Sequence, residues 1–133
     1  MHTTETILLP DRGLSFSMEE WPTLYEMGRD ILTLAITHEF GFYMTHRLMH
    51  STPFLYQFHK VHHEYKQNNV LSAQHFHPVD YFISIGGPAV LATTIVKPHS
   101  FTQFVFGVWL LTANFDDHLG YNFPWSPVSF VYT

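Results

Sequence analysis

The sequence predicts an all-α chain: an integral membrane helical bundle with its histidine-bearing helices on one membrane face and an apolar helical hairpin. Three observations lead there. Tyr81–Val96 and Pro98–Phe115 run for 16 and 18 residues without a charge and are separated only by Lys97. Charged residues make up 13% of the 133-residue chain, where an ordinary soluble domain has about 25%. The 11 histidines include groups spaced by three and four residues, which is the spacing of one helical face.

Taken in order, residues 1–23 read as a loop-rich lead-in broken by Pro10, Gly13 and Pro22. Residues 1–30 hold six acids (Glu5, Asp11, Glu19, Glu20, Glu26, Asp30) and two bases, so no secretory signal is expected there. The remaining span, 24–133, is expected to form one helical domain. Trp21-Pro22-Thr23 is a helix start with Pro22 in the first turn, and the apolar run from Leu24 continues through Phe40, Phe42 and Tyr43. Ser51-Thr52-Pro53 breaks that helix, with Thr52 able to cap the next and Pro53 in its first position. The second helix is expected to reach about Lys66 and to end at Asn68-Asn69. The two uncharged runs follow, about 24 and 27 Å long as helices, slightly short of a ~30 Å hydrocarbon core. Gly86-Gly87-Pro88, His99, Thr102 and Gln103 fit lipid poorly. The expectation is therefore a membrane-embedded hairpin turning at Lys97-Pro98, preferred over a buried soluble hairpin because so short a chain has little polar surface to cover it.

Composition excludes several classes of function. Net charge is −5 with only six Lys+Arg, so no basic patch exists to neutralise phosphates and no nucleic-acid partner is expected. The absence of cysteine removes thiolate zinc sites, iron–sulfur clusters, cysteine nucleophiles and disulfide scaffolds together.

The histidines carry the positive signal. His46 and His50 lie one helical turn apart; His59, His62 and His63 follow at i, i+3 and i+4. If the two helices are antiparallel neighbours across the Thr52-Pro53 break, five imidazoles converge. A lone histidine on an apolar face is usually a hydrogen-bonded core or surface residue, which is the expectation for His2, His38 and His99. Five packed together without a metal would repel one another and face lone pair to lone pair. Neutral imidazole suits iron, zinc and copper. Motifs of other metal and nucleophile chemistries are missing. His38-Glu39 and His63-Glu64 are followed at the fourth position by Phe42 and Gln67, so neither completes H-E-x-x-H, and no Glu-x-x-His, G-x-S-x-G, P-loop or G-x-G-x-x-G occurs.

Together these motifs resemble the fatty acid hydroxylase/sterol desaturase superfamily, closest to its C-4 methylsterol monooxygenase branch. His46–His50 and His59-Lys60-Val61-His62-His63-Glu64 resemble its first two histidine boxes, and Phe42-Tyr43-x-x-His46-Arg47 its lead-in to the first. Phe76-His77-Pro78-x-Asp80 and His118-Leu119-Gly120-Tyr121-Asn122-Phe123-Pro124-Trp125 are similar to later elements in the same order. The likeness spans roughly residues 25–130.

The resemblance implies a non-haem di-iron monooxygenase of the endoplasmic reticulum membrane. It implies O2-dependent hydroxylation of a sterol C-4 methyl or a similar lipid C–H bond, with electrons from NAD(P)H through cytochrome b5 or a reductase. His46, His50, His59, His62, His63 and His118 then match its metal ligands, with His77 as an addition; His75 has no counterpart. Glu64, Asp116 and Asp117 are candidates to orient an imidazole N–H, or are solvated helix ends. Arg47 is expected to pair with an acid such as Glu39. The hairpin places His77, before it, and His118, after it, on the same face. The same resemblance implies a third box, His-Asp-x-His-His, after Gly120-Tyr121-x-x-Pro124. The sequence ends at Thr133 without one, so the expectation is a fragment, truncated isoform or degenerate copy of such an enzyme. Two other readings stand beside it: an inactive membrane-embedded remnant, and a zinc-binding protein using the same histidines.

Overall fold

The computed structural model describes residues 21–67 and 69–121. The lead-in up to residue 20, Asn68 as a helix terminator, and the stretch from Asn122 to Thr133 lie outside the described residues. Among the described residues there is helix and no strand.

Helix α1 spans Leu24–Ser51. Thr23 starts it, not Pro22: the Thr23 hydroxyl accepts from the Glu26 amide at 3.3 Å and the Glu26 carboxylate accepts from the Thr23 amide at 2.8 Å. This reciprocal pair satisfies two otherwise orphaned donors, and Pro22 sits one residue outside it. Thr33, Thr37 and Thr45 donate their hydroxyls to carbonyls one turn back, so the helix carries these hydroxyls through an apolar stretch with their donors satisfied. Its inward stripe is Asp30, Leu34, His38, Gly41 and Met49. Asp30, 2% exposed, is held by Arg29.

Helix α2, Pro53–His59, has Pro53 in its first turn, but Thr52 makes no side-chain cap. It ends seven residues before the expected Lys66. Past His59 the bonds shorten to His63 N–Lys60 O and Glu64 N–Val61 O, so the chain tightens into a 3₁₀ turn over His62–Glu64. A second 3₁₀ turn covers Val70–Gln74, with Asn69 capping it through Ser72.

Helix α3 runs Pro78–Val96, three residues earlier than the uncharged run. His77 caps it, Nδ1 accepting from the Val79 amide at 3.2 Å. Tyr81–Gly86 is π-helical. Pro88 supplies a local reason: it has no N–H for the Ser84 carbonyl, and the Gly87 amide reaches back to the Phe82 carbonyl. Lys97, at φ 48° and ψ 55°, ends the helix in the left-handed region. Helix α4, Ser100–His118, follows, with His99 Nδ1 accepting from the Phe101 amide at 3.1 Å.

Helix α1 packs mainly on the Gly87–Val96 half of α3 and less extensively on α4. At the crossing, a Cβ added to Gly41 would lie 3.2 Å from the Pro88 Cβ, so glycine there permits the close approach. Leu34, Ala92, Val96 and Phe106 form the core, with Ile31, Ala35 and Leu110 against it. His38 is also buried, between the rings of Phe42 and Phe106. Neither of its ring nitrogens has a hydrogen-bond partner, contrary to the expected satisfied core histidine. Large apolar side chains face outward on every long helix: Ile36 is 63% exposed, Val90 67% and Phe104 66%. Among the described residues these side chains form an outward apolar surface. One helix among the described residues, Pro78–Val96, is long and apolar enough to cross a membrane; α4, the expected second arm of the hairpin, is not.

Candidate metal centre

The reversal at Thr52-Pro53 sets the last turns of α1 against α2, and four imidazoles meet there. His50 Nε2 lies 3.1 Å from His46 Nε2, 3.1 Å from His59 Nε2 and 3.3 Å from His63 Nε2, while His59 and His63 are 3.0 Å apart through the same atoms. One donor atom from each of the four falls within 4.8 Å of all the others. His59 is enclosed, His46 half-buried, and His50 and His63 reach the surface.

Facing nitrogens at these distances cannot all be satisfied by one another, since each close Nε2 pair has room for a single proton. A cation at the centre would resolve the conflict. Metal–imidazole bonds of about 2.0–2.1 Å put neighbouring nitrogens about 2.9–3.4 Å apart in octahedral or tetrahedral shells; four of the six pairs lie in that interval, and the whole set lies within 4.8 Å. The donor set, all imidazole nitrogen, suits iron, zinc or copper.

Electrostatics favour the neutral form of His46, His62 and His63. Burial, reinforced by the neighbouring imidazoles of His59, His50, His63 and His62, lowers His46 to about 4. Burial also lowers His62, opposed by its bond to the His75 backbone and aided by His118, His63 and His59. His63 is lowered by burial and then by His59 and His50, with Asp80 opposing.

Three rings are fixed through their other nitrogen. His59 Nδ1 lies 2.8 Å from Asp80 Oδ2. His62 Nδ1 donates to the His75 carbonyl at 3.3 Å and His118 Nδ1 to the Asn114 carbonyl at 2.8 Å. The 3₁₀ turn separates the second box: His59 and His63 join the four-ring cluster, whereas His62 stacks on Phe76 at 4.4 Å and meets His118 at 5.5 Å. The structure therefore brings six of the seven expected ligand histidines together, as a group of four and an adjoining pair.

The other expected site residues lie elsewhere. His77 caps α3 and packs on Phe58 at 4.9 Å, outside the four-ring cluster. Glu64 reaches His75 at 3.3 Å rather than a cluster imidazole, because the turn carries it to the outer side. His118 Nδ1 is held by its own helix backbone, and Asp117 lies close enough to interact with it electrostatically. Arg47 donates to the Tyr43 hydroxyl one turn away at 2.9 Å; Glu39 is two turns off. Asp80 is a partner of the cluster that residue spacing does not reveal. The sequence marks it only as part of the Phe76-His77-Pro78-x-Asp80 element and as an acid placed immediately before 16 uncharged residues.

A cavity of about 490 Å3 adjoins His118. Phe42, Phe76, Tyr81, Ile85, Trp109 and Leu110 supply much of its apolar wall, and Glu39 and Asp117 also line it. The size falls in the ~300–1,000 Å3 range of small-molecule sites.

Comparison with known proteins gives a consistent picture. Residues 31–133 match the family described as fatty acid hydroxylase. A very-long-chain aldehyde decarbonylase of Oryza sativa subsp. indica is 37% identical over 76% of this chain and 37% of its own length. A methylsterol monooxygenase of Arabidopsis thaliana is 31% identical over 88% of this chain and 42% of its own. Cholesterol 25-hydroxylase of Homo sapiens is 33% identical over 91% and 44%. The chain thus spans about two-fifths of the length of these relatives. No solved structure matches.

Proposed function

Because the chain belongs to the fatty acid hydroxylase family, we propose that it provides the first two histidine boxes and the lipid cavity of a non-haem di-iron monooxygenase. In this reading the enzyme hydroxylates a C–H bond of a membrane lipid using O2. The convergence of four Nε2 atoms at 3.0–3.3 Å carries this reading. His46, His50, His59 and His63 would hold one ion, with His62 and His118 contributing to a second. Iron held by imidazoles supplies the activation of O2 that an unreactive C–H bond requires.

The chain's own residues do the rest. Carbonyl bonds at Nδ1 leave the Nε2 lone pairs of His62 and His118 available to an ion, on rings whose centres lie 5.5 Å apart. Phe76 braces the His62 ring. The apolar wall of the adjoining cavity binds a lipid and excludes water, with the target carbon beside His118. The outward apolar belt seats the bundle in a membrane, from which such a substrate enters.

The sterol monooxygenase and hydroxylase activities in the names of two relatives favour a sterol, a C-4 methyl among its candidate positions. Electrons would come from NAD(P)H through cytochrome b5 or a reductase, and the site of action would be the endoplasmic reticulum membrane. The test is 18O2 incorporation into lipid by the purified protein supplied with iron and reductant. The expected result is iron bound through histidine and labelled hydroxy-lipid lost in His62→Ala. One zinc, no iron and no label would overturn it in favour of a zinc-binding protein.

A further inference from the structure

We infer that Asp80 is a positioning residue for the metal centre: its carboxylate holds His59 in the Nδ1–H tautomer, and Ser84 anchors that carboxylate to α3. The inference rests on the metal-centre reading above and assigns work to a residue outside the histidine set.

His59 is the enclosed member of the cluster. It is 0% exposed, and its Nε2 contacts both His50 and His63. Its remaining nitrogen, Nδ1, meets Asp80 Oδ2 at 2.8 Å. Asp80 is itself 0% exposed, and its other oxygen accepts from the Ser84 hydroxyl at 2.8 Å. An ionised carboxylate only accepts hydrogen bonds, so the proton between the two side chains belongs to His59 Nδ1. That leaves the Nε2 lone pair directed into the cluster, as metal binding requires. Ser84 fixes which way the carboxylate faces. It lies in the π-helical turn of α3, so the ring orientation is set by the apolar helix and not by the loop that carries the second box. His62 and His118 reach the same tautomer through backbone carbonyls; His59 alone among these three uses a side chain, and so alone can be switched by one substitution.

A merely structural contact between Asp80 and His59 would affect folding but not tautomer. The discriminating variant is Asp80→Asn, whose amide can donate to Nδ1 and drive the proton to Nε2. Ring 15N shifts of His59 in the metal-free full chain read the tautomer, and competition with a chromophoric chelator reads the Kd for Zn2+. Wild type is expected to show Nδ1–H. Asp80→Asn is expected to show Nε2–H and a Kd raised about 10–100-fold, with helix content unchanged. Asp80→Glu is expected to keep Nδ1–H and recover part of the affinity.

Should Asp80→Asn not fold, Ser84→Ala retains the charge and is expected to weaken Zn2+ several-fold. Nδ1–H retained in Asp80→Asn, with Kd within twofold of wild type, would overturn the inference, as would unchanged affinity in Ser84→Ala if that variant has to decide it. Failure of the wild type to bind Zn2+ through histidine would instead remove the metal-centre reading. The tautomer measurement needs no metal, so it separates the two failures.

Discussion

His59→Ala removes the one fully enclosed imidazole of the four-ring cluster and strands the carboxylate beneath it. Asp80 has no exposure and two partners, His59 Nδ1 and Ser84 Oγ, each at 2.8 Å. Leaving a buried carboxylate without one of its donors costs about 3 kcal/mol or more, because the charge stays desolvated. Ser84 still donates to Oδ1 after the substitution, which puts the expected loss near the lower end, about 3 kcal/mol. That is a change of more than about a hundredfold in the folded-to-unfolded ratio. Deleting the carboxylate as well, in His59→Ala/Asp80→Ala, is expected to regain about 1–2 kcal/mol, since the cavity remains but the unpaired charge is gone. The assay is denaturant unfolding of the metal-free protein in detergent micelles, followed by circular dichroism. A His59→Ala variant within about 0.5 kcal/mol of wild type would refute this account of Asp80 as a buried acceptor. So would a double variant no more stable than the single one.

Other outcomes follow from the same geometry. Leu34, 0% exposed in the core, is expected to cost about 2–5 kcal/mol as Leu34→Ala in the same unfolding assay. Gly41→Leu forces a branched side chain against Pro88, 3.2 Å from the added Cβ; a loss of about 1–3 kcal/mol is expected, with a measurably weaker Zn2+ Kd because α1 carries His46 and His50. The metal-free protein is expected to lose stability on acidification. His46, His62 and His63 are held below the ordinary imidazole value, so the unfolded chain binds more protons below about pH 6.5. Melting temperatures should therefore be level above about pH 7 and fall steadily as pH drops from about 6.5 toward 4, which a pH series of thermal scans checks.

Much of the candidate site was legible because helical spacing is a local property. His46 and His50 share a face whatever surrounds them, and the hairpin brings His118 back to the face it left. The turn at Lys97 could be read from the same pattern, being the only charge between two apolar runs. What escaped was decided by contacts distant in sequence or by backbone geometry. Asp80 reaches His59 across 21 positions, and nothing in the spacing of either residue announces the partnership. Tightening of the chain after His59 depends on a change from four- to three-residue hydrogen bonds, which the side-chain pattern does not encode, yet it sends His62 to His118 and His63 to the cluster. His77 has the residue type and position of a ligand, but the Pro78 that follows it starts a helix, and a helix start recruits its neighbour as a cap.

X-ray absorption at the iron edge of the purified, iron-loaded protein tests the central claim most directly, namely that the two histidine boxes form a metal-binding site. The account predicts a nitrogen-rich shell at about 2.0–2.2 Å with outer scattering from at least three imidazoles, lost when His46, His50, His59 and His63 are all replaced by Ala. An iron shell with one imidazole or none, or a spectrum unchanged in that fourfold variant, would contradict it.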